Sequence, residues 1–107
     1  MATEQPKPVK RLQNHLTQGN LWMYILVLLK GKKELYAYVL DEMIEKKFGF
    51  RPNKIMLYLV LYKLESEGLI ESRFVERRKY YVIRKKGSEA LANGKKILTK
   101  TMKDLEK

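Results

Sequence analysis

The side chains that could do covalent chemistry are few. His15 is the only histidine, and the chain has no cysteine. No Ser–His–acid or Cys–His set can be assembled from these residues, and no metal-ligand spacing is present. The carboxylates Asp41–Glu42 and Glu65–Glu67 fall on helix surface predicted to be exposed, where solvation is their ordinary role. The glycines form no phosphate-binding loop. An enzyme, a metal site and a cofactor are therefore not expected. The chemistry that remains is recognition. Arg51, Asn53, Lys54, Tyr58, Leu59, Tyr62 and Lys63 lie in one stretch, and Arg77, Arg78 and Lys79 in a second, with Arg73 just before it. Guanidinium and ammonium groups neutralise phosphates, phenols hydrogen-bond to them, and aliphatic side chains pack on thymine methyls. Double-stranded DNA is the partner such a set would suit.

Three elements would have to position these residues. A helix opens near Pro52 and Asn53, because Asn caps well and Pro does not suit a helix interior. Leu57, Val60, Leu61 and Leu64 form its core face. Ile55, Leu59, Tyr62 and Ser66 point the other way, flanked by Tyr58 and Lys63. Gly68 stops the helix and Leu69-Ile70 follow. A hairpin comes next, with strands over about 71–75 and 79–84 and a turn at Glu76-Arg77-Arg78. Tyr80, Tyr81, Val82 and Ile83 have high strand propensity. Its cations could merely defend a solvated edge. Their place directly after a suitable helix favours a DNA-contacting wing.

The remaining segments supply core and assembly. A helix over about 18–30 is apolar nearly all round from Leu21 to Leu29, which requires burial on several sides. Gly31 ends it, with Lys30, Lys32 and Lys33 at the negative end of its dipole. A second helix over about 35–48 carries the stripe Val39, Leu40, Met43, Ile44 and Phe48, and Gly49 closes it. A last helix spans about 88–107. Leu91, Leu98 and Leu105 are spaced by sevens, with Gly94 and Thr101 between them and Met102 alongside. A terminal apolar stripe needs a cover, and a two-fold partner helix provides one. Leu91, Leu98, Met102 and Leu105 are the expected dimer interface. Residues 1–15 read as a basic arm bearing Pro6 and Pro8, with no apolar period.

The fold expected is mainly α with a small β-hairpin. It comprises a winged helix-turn-helix over residues 16–86 and a C-terminal dimerisation helix over 87–107. The length of 107 residues fits one such domain. Net charge supports a polyanionic partner. There are 23 Lys and Arg against 12 Asp and Glu, a formal +11. Residues 1–70 hold 11 basic and 7 acidic groups, net +4, and residues 71–107 hold 12 and 5, net +7. The excess sits on the hairpin and the segment after it. The apolar run Leu21–Leu29 is far short of the roughly 20 residues that span a bilayer, so a cytoplasmic, nucleoid-associated protein is expected.

These residues resemble the PadR family of winged-helix transcriptional regulators. The resemblance rests on the apolar helix Leu21–Leu29, on Tyr38, and on Leu57-Tyr58, Leu61, Leu64-Glu65 and Gly68-Leu69-Ile70. Tyr81, Gly87 and Leu91 extend it, so that it covers roughly residues 19–92. It implies a homodimer on a partly palindromic operator, with the helix from Asn53 in the major groove, the wings beside it and the C-terminal helices paired. Tyr58 would stand near the DNA backbone. The chain departs from the family in having Tyr36-Ala37-Tyr38 where His-Gly-Tyr is frequent, and Arg84 where a threonine follows the second strand. Some members bind flat aromatic compounds near the dimer centre, but Ser88–Lys107 contains no aromatic residue. A small-molecule effector is thus left undecided. The function expected is sequence-specific transcription regulation, with repression as its sign. The rivals are a protein-interaction module using Ile55, Leu59 and Tyr62, and sequence-tolerant architectural DNA binding.

Overall fold

Nine consecutive apolar residues, Leu21 to Leu29, leave a helix no side to offer to water. In the computed structural model, which describes residues 4–32 and 34–107, they form α2 (Leu21–Gly31). Lys33 and the first three residues of the expected arm lie outside the described residues. Packed against α2 are α3 (Leu40–Phe48), α4 (Lys54–Ser66), α5 (Lys85–Leu105) and the strand β3 (Arg78–Ile83). The core joins Leu21, Ile25, Leu26 and Leu29 of α2 to Leu40 and Ile44 of α3 and to Leu57 and Leu61 of α4. Ile70 and Leu91 complete it from the sheet side and from α5. Helices α3 and α4 are the helix-turn-helix, and the hairpin is the wing.

The stop of α4 fixes where the wing begins. The Leu69 N–H donates to the Leu64 carbonyl at 2.9 Å and the Gly68 N–H to the Glu65 carbonyl at 3.0 Å. With Gly68 at φ 80°, this is a Schellman ending, which needs a residue without a Cβ penalty at that place. Strand β2 (Ile70–Val75) leaves at once and pairs antiparallel with β3, Ile70 opposite Ile83 and Val75 opposite Arg78. The turn is therefore only Glu76-Arg77. Arg78, expected in the turn, is the first residue of β3.

Four expectations need correcting. The expected N-terminal arm contains a helix, α1 (Lys7–Leu16). Pro6 sits at its cap and Pro8 in its first turn, where a missing N–H costs nothing. Val9, Leu12 and Leu16 repeat at three and four residues and make one apolar stripe, exposed in the protomer. Secondly, α3 starts at Leu40, not Leu35. Leu35–Tyr36 is a short strand, β1, opposite Tyr81 and Tyr80, giving the sheet order β1-β3-β2. One 3-10 turn, Ala37–Val39, joins it to α3. The open backbone edge of β3 outweighs a helical apolar spacing here, because pairing there also buries Leu35.

The third and fourth corrections concern α5 and Asp41. Helix α5 begins at Lys85, and Gly87 lies inside its first turn, pressed on the Leu69 carbonyl. Leu91, expected in a dimer interface, is 1% exposed and belongs to the protomer's own core. Gly94, which falls between the leucines of the expected dimer stripe, faces Trp22 of the same chain. Asp41, expected on exposed surface, is 2% exposed. No helix among the described residues is long and apolar enough to cross a membrane.

Candidate nucleic-acid interface

The start of α4 is held from three sides. The Asn53 side chain accepts the Met56 N–H at 3.1 Å, a helix N-cap. Gln18 clasps the preceding loop: its amide donates to the Arg51 carbonyl at 3.1 Å and accepts the Asn53 N–H at 3.4 Å. The Arg51 guanidinium donates to Asp41 and to Glu45, both at 3.2 Å. Asp41 also accepts the Glu42 N–H at 2.8 Å and lies 3.9 Å from the Lys54 ammonium. A buried carboxylate is tolerated only when so partnered. Desolvation acts to lower the Arg51 pKa, but hydrogen bonds and charge attraction to Asp41 and Glu45 outweigh it, and the net direction is upward. Arg51 is a permanent cation turned onto α3.

The outward face of α4 is apolar and aromatic. Ile55 is 81% exposed and Tyr62 70%, with Tyr58 and Leu59 near half. Lys63 is exposed beside them and has no ion pair among the described residues. The wing faces the same side. A cleft of about 380 Å³ is lined by Tyr58 and Tyr62 from α4, by Arg77, Arg78 and Lys79 from the wing, and by Tyr36 and Tyr38 from β1 and the turn after it. Arg77 is exposed at the wing tip and unpaired among the described residues. The Lys79 ammonium lies 3.7 Å from Glu65, which also accepts from the Ser72 hydroxyl. Burial pushes the Tyr81 phenol above the ordinary tyrosine value, with Lys79 acting in the opposite direction. The fourth wing cation, Arg73, is drawn off by Glu34 and does not line the cleft.

Of the residues expected to meet DNA, the fold thus gathers Tyr58, Tyr62, Arg77, Arg78 and Lys79 around one cleft. Lys54, Leu59 and Lys63 lie on α4 outside it, and Arg51 and Asn53 shape the helix start. Sequence reasoning missed Tyr36 and Tyr38 as part of this surface. Their alternation around Ala37 was the available signal, since aromatic residues favour strands.

A second surface lies between α2 and α5. Leu16, Trp22, Met23, Val27, Ile97 and Leu98 line an apolar groove of about 440 Å³, with Gly94 beneath Trp22. Met102 and Leu105 continue it along α5, 58% and 76% exposed. Ile97, which the sevenfold spacing passes over, is 65% exposed.

Solved structures with this arrangement include transcriptional regulators. A transcriptional regulator from Clostridium thermocellum superposes with a TM-score of 0.77 at 25% identity, covering 96% of both chains. The PadR-like transcriptional regulator of Bacillus cereus has a TM-score of 0.68 at 29% identity, covering 89% of this chain and 97% of that one. A winged-helix DNA-binding protein from STIV reaches 0.69 over 79% of this chain and 92% of its own. At 18% identity that last likeness concerns the fold alone. No curated protein matches the chain significantly. The sequence profile of the Transcriptional regulator PadR-like family matches residues 25–93, from the middle of α2 to the first half of α5. That span contains the helix-turn-helix, the wing and the cleft between them, and the chain belongs to the PadR-like family of transcriptional regulators.

Proposed function

We propose that this chain is a homodimeric repressor that binds a partly palindromic DNA site. The observation that carries the reading is the cleft: the outward face of α4 and the free wing cations stand on one side of the molecule. With α4 in a major groove, Ile55 and Leu59 pack on thymine methyls, while Tyr58, Tyr62, Lys54 and Lys63 reach the backbone. Arg77 and Arg78 lie along the phosphates or the adjacent minor groove, and Lys79 shares its charge with Glu65. Arg51 and Asn53 serve by setting the start of α4.

The dimer face in this reading is the α2–α5 groove and its continuation over Leu98, Met102 and Leu105, with α1 added. A contiguous apolar surface of this kind marks an association site. A second copy, related by a two-fold axis, covers it and places two α4 helices on one duplex. Residues 16–86 then form the DNA-binding unit, and α5 is divided, its first half core and its second half interface. Such a protein works in the cytoplasm on the nucleoid.

A second reading is favoured by the exposure of Ile55, Leu59 and Tyr62, which would suit a protein groove. Selection of bound duplexes from a random pool separates the two. Enrichment of an inverted repeat, with half-site centres about 34 Å or a multiple apart, supports the repressor. Tight binding without enrichment indicates architectural coating. No binding leaves protein docking as the role of α4.

A further inference from the structure

Lys54 and Arg78 belong to different elements, one opening α4 and the other opening β3. Each lies over a tyrosine ring. The Lys54 ammonium is 4.8 Å from the centre of Tyr38, and the Arg78 guanidinium is 4.8 Å from the centre of Tyr36. Both are within the reach of a cation–π contact. The two rings stack on one another, 5.9 Å apart and 28° from parallel. Tyr80, opposite Tyr36 in the sheet, supports it at 5.7 Å. Tyr38 is 59% exposed, so its ring is not held there by the core.

We propose that Tyr36 and Tyr38 are positioning residues for DNA binding: their stack ties Lys54 to Arg78 and presets the spacing between the α4 cation and the wing cation. The inference rests on the DNA reading above. Its physical basis is twofold. Long cationic side chains lose rotamer freedom when they dock on phosphate, and holding them beforehand removes part of that cost. A ring also holds a cation without neutralising it, which leaves Arg78 without an ion pair among the described residues, while Lys54 is shared with Asp41 at 3.9 Å. A guanidinium over a ring keeps its N–H donors for a phosphate, whereas Arg73 has spent its charge on Glu34. The sheet edge β1 thus has a use beyond covering Leu35. With the turn after it, it carries the two rings to the gap between α4 and the wing.

The test uses the full chain and the duplex most enriched in the selection, with Tyr36→Leu, Tyr38→Leu and the two Phe replacements. In the free protein, ring currents should move the Lys54 Hε and Arg78 Hδ proton resonances upfield. The Phe variants should keep those shifts and the wild-type affinity, because the ring faces do the holding. Each Leu variant should lose its shift and bind about two- to fivefold more weakly, the worth of one exposed cation–π contact. Tyr38→Leu changes an exposed side chain and carries the test alone if Tyr36→Leu, in a strand, fails to fold. Loss of the shifts with unchanged affinity overturns the proposal while DNA binding stands. So does equal weakening in the Phe variants, which would point to hydroxyl contacts. If the wild type binds no duplex, the DNA reading fails and the positioning role falls with it.

Discussion

Replacing Gly87 with Ala sets two effects of opposite sign against each other. In an isolated helix Ala is better than Gly by about 0.8–1 kcal/mol. In this fold a Cβ at residue 87 would lie 2.2 Å from the Leu69 carbonyl oxygen and 2.9 Å from Ile83 Cγ1. An ordinary C···O contact is about 3.3 Å, so something must move by about 1 Å. The Leu69 carbonyl cannot give way easily. It accepts the Arg84 N–H at 3.0 Å and sits between the ending of α4 and the start of β2. Relief must come from the first turn of α5, which weakens that hydrogen bond, worth about 0.5–1.5 kcal/mol, and loosens Leu91. Overpacking of this kind costs about 1–3 kcal/mol. Adding the weakened hydrogen bond to the overpacking and subtracting the propensity gain leaves an expected loss of about 0.5–3.5 kcal/mol for Gly87→Ala.

Gly94 is the control in the same helix. A Cβ there meets the end of the Trp22 ring, at 2.9 Å, and the flexible Met23 methyl, at 3.3 Å, beside an open groove. The ring can shift, so Gly94→Ala should stay within about 1 kcal/mol of the wild type. Urea unfolding at one fixed protein concentration measures both, as midpoint shifts at unchanged m. Gly87→Ala should also weaken DNA binding beyond its loss of stability, since in the proposed dimer α5 joins the shared face to α4 through α2. A Gly87→Ala protein as stable as the wild type, or more so, would refute the close-contact argument.

Leu98→Glu places a charge in the apolar groove, so it should sediment as monomer and lose operator affinity, because two half-sites are no longer linked. A wild type that is itself monomeric at micromolar concentration would dispose of the dimer. Arg77→Ala should lower the slope of log affinity against log salt by about 0.9 for every duplex. Arg73→Ala should leave it unchanged, since Glu34 already holds Arg73, and equal slopes in the two variants would contradict the assignment of the wing. Burial raises the Tyr81 pKa, with Lys79 opposing. A raised folded-state value means stability intact below the unfolded value of about 10 and lost as pH rises through the folded one. Tyr81→Phe should therefore show a smaller loss of stability between about pH 9 and about pH 11 than the wild type; equal losses would mean that Tyr81 does not titrate in this way.

The parts of the molecule legible in the sequence are those specified by neighbours along the chain. Leu21–Leu29 is apolar nearly all round and only Ile25 and Val27 are β-branched, which favours an enclosed helix over a buried strand. Asn53 and Gly68 mark the two ends of α4 because capping needs only the adjacent backbone. The strand propensity of Tyr80–Ile83 and the cations before them announce the wing. These local signals were enough for the winged-helix fold and for the residues around the cleft, apart from Tyr36 and Tyr38. Those two rings were assigned to a helix because Leu35 to Val39 has no local feature that rejects one. The choice was made by the free edge of β3, more than forty residues away.

Asp41 and α5 show the same division. A carboxylate in the first turn of α3 is ordinarily solvated, and only the return of Arg51 and Lys54 at the start of α4 permits it to be buried. The heptad stripe of α5 correctly marked one apolar face, but not what would cover it. At about 1.5 Å per residue, the 21 residues of α5 run to about 31 Å and the 11 of α2 to about 16 Å. Helix α2 can therefore cover only the first half of the stripe. Spacing alone determined that Leu91, Leu98 and Leu105 share a face. The lengths of two packed helices decided that Leu91 lies in the core while Leu98 and Leu105 remain exposed.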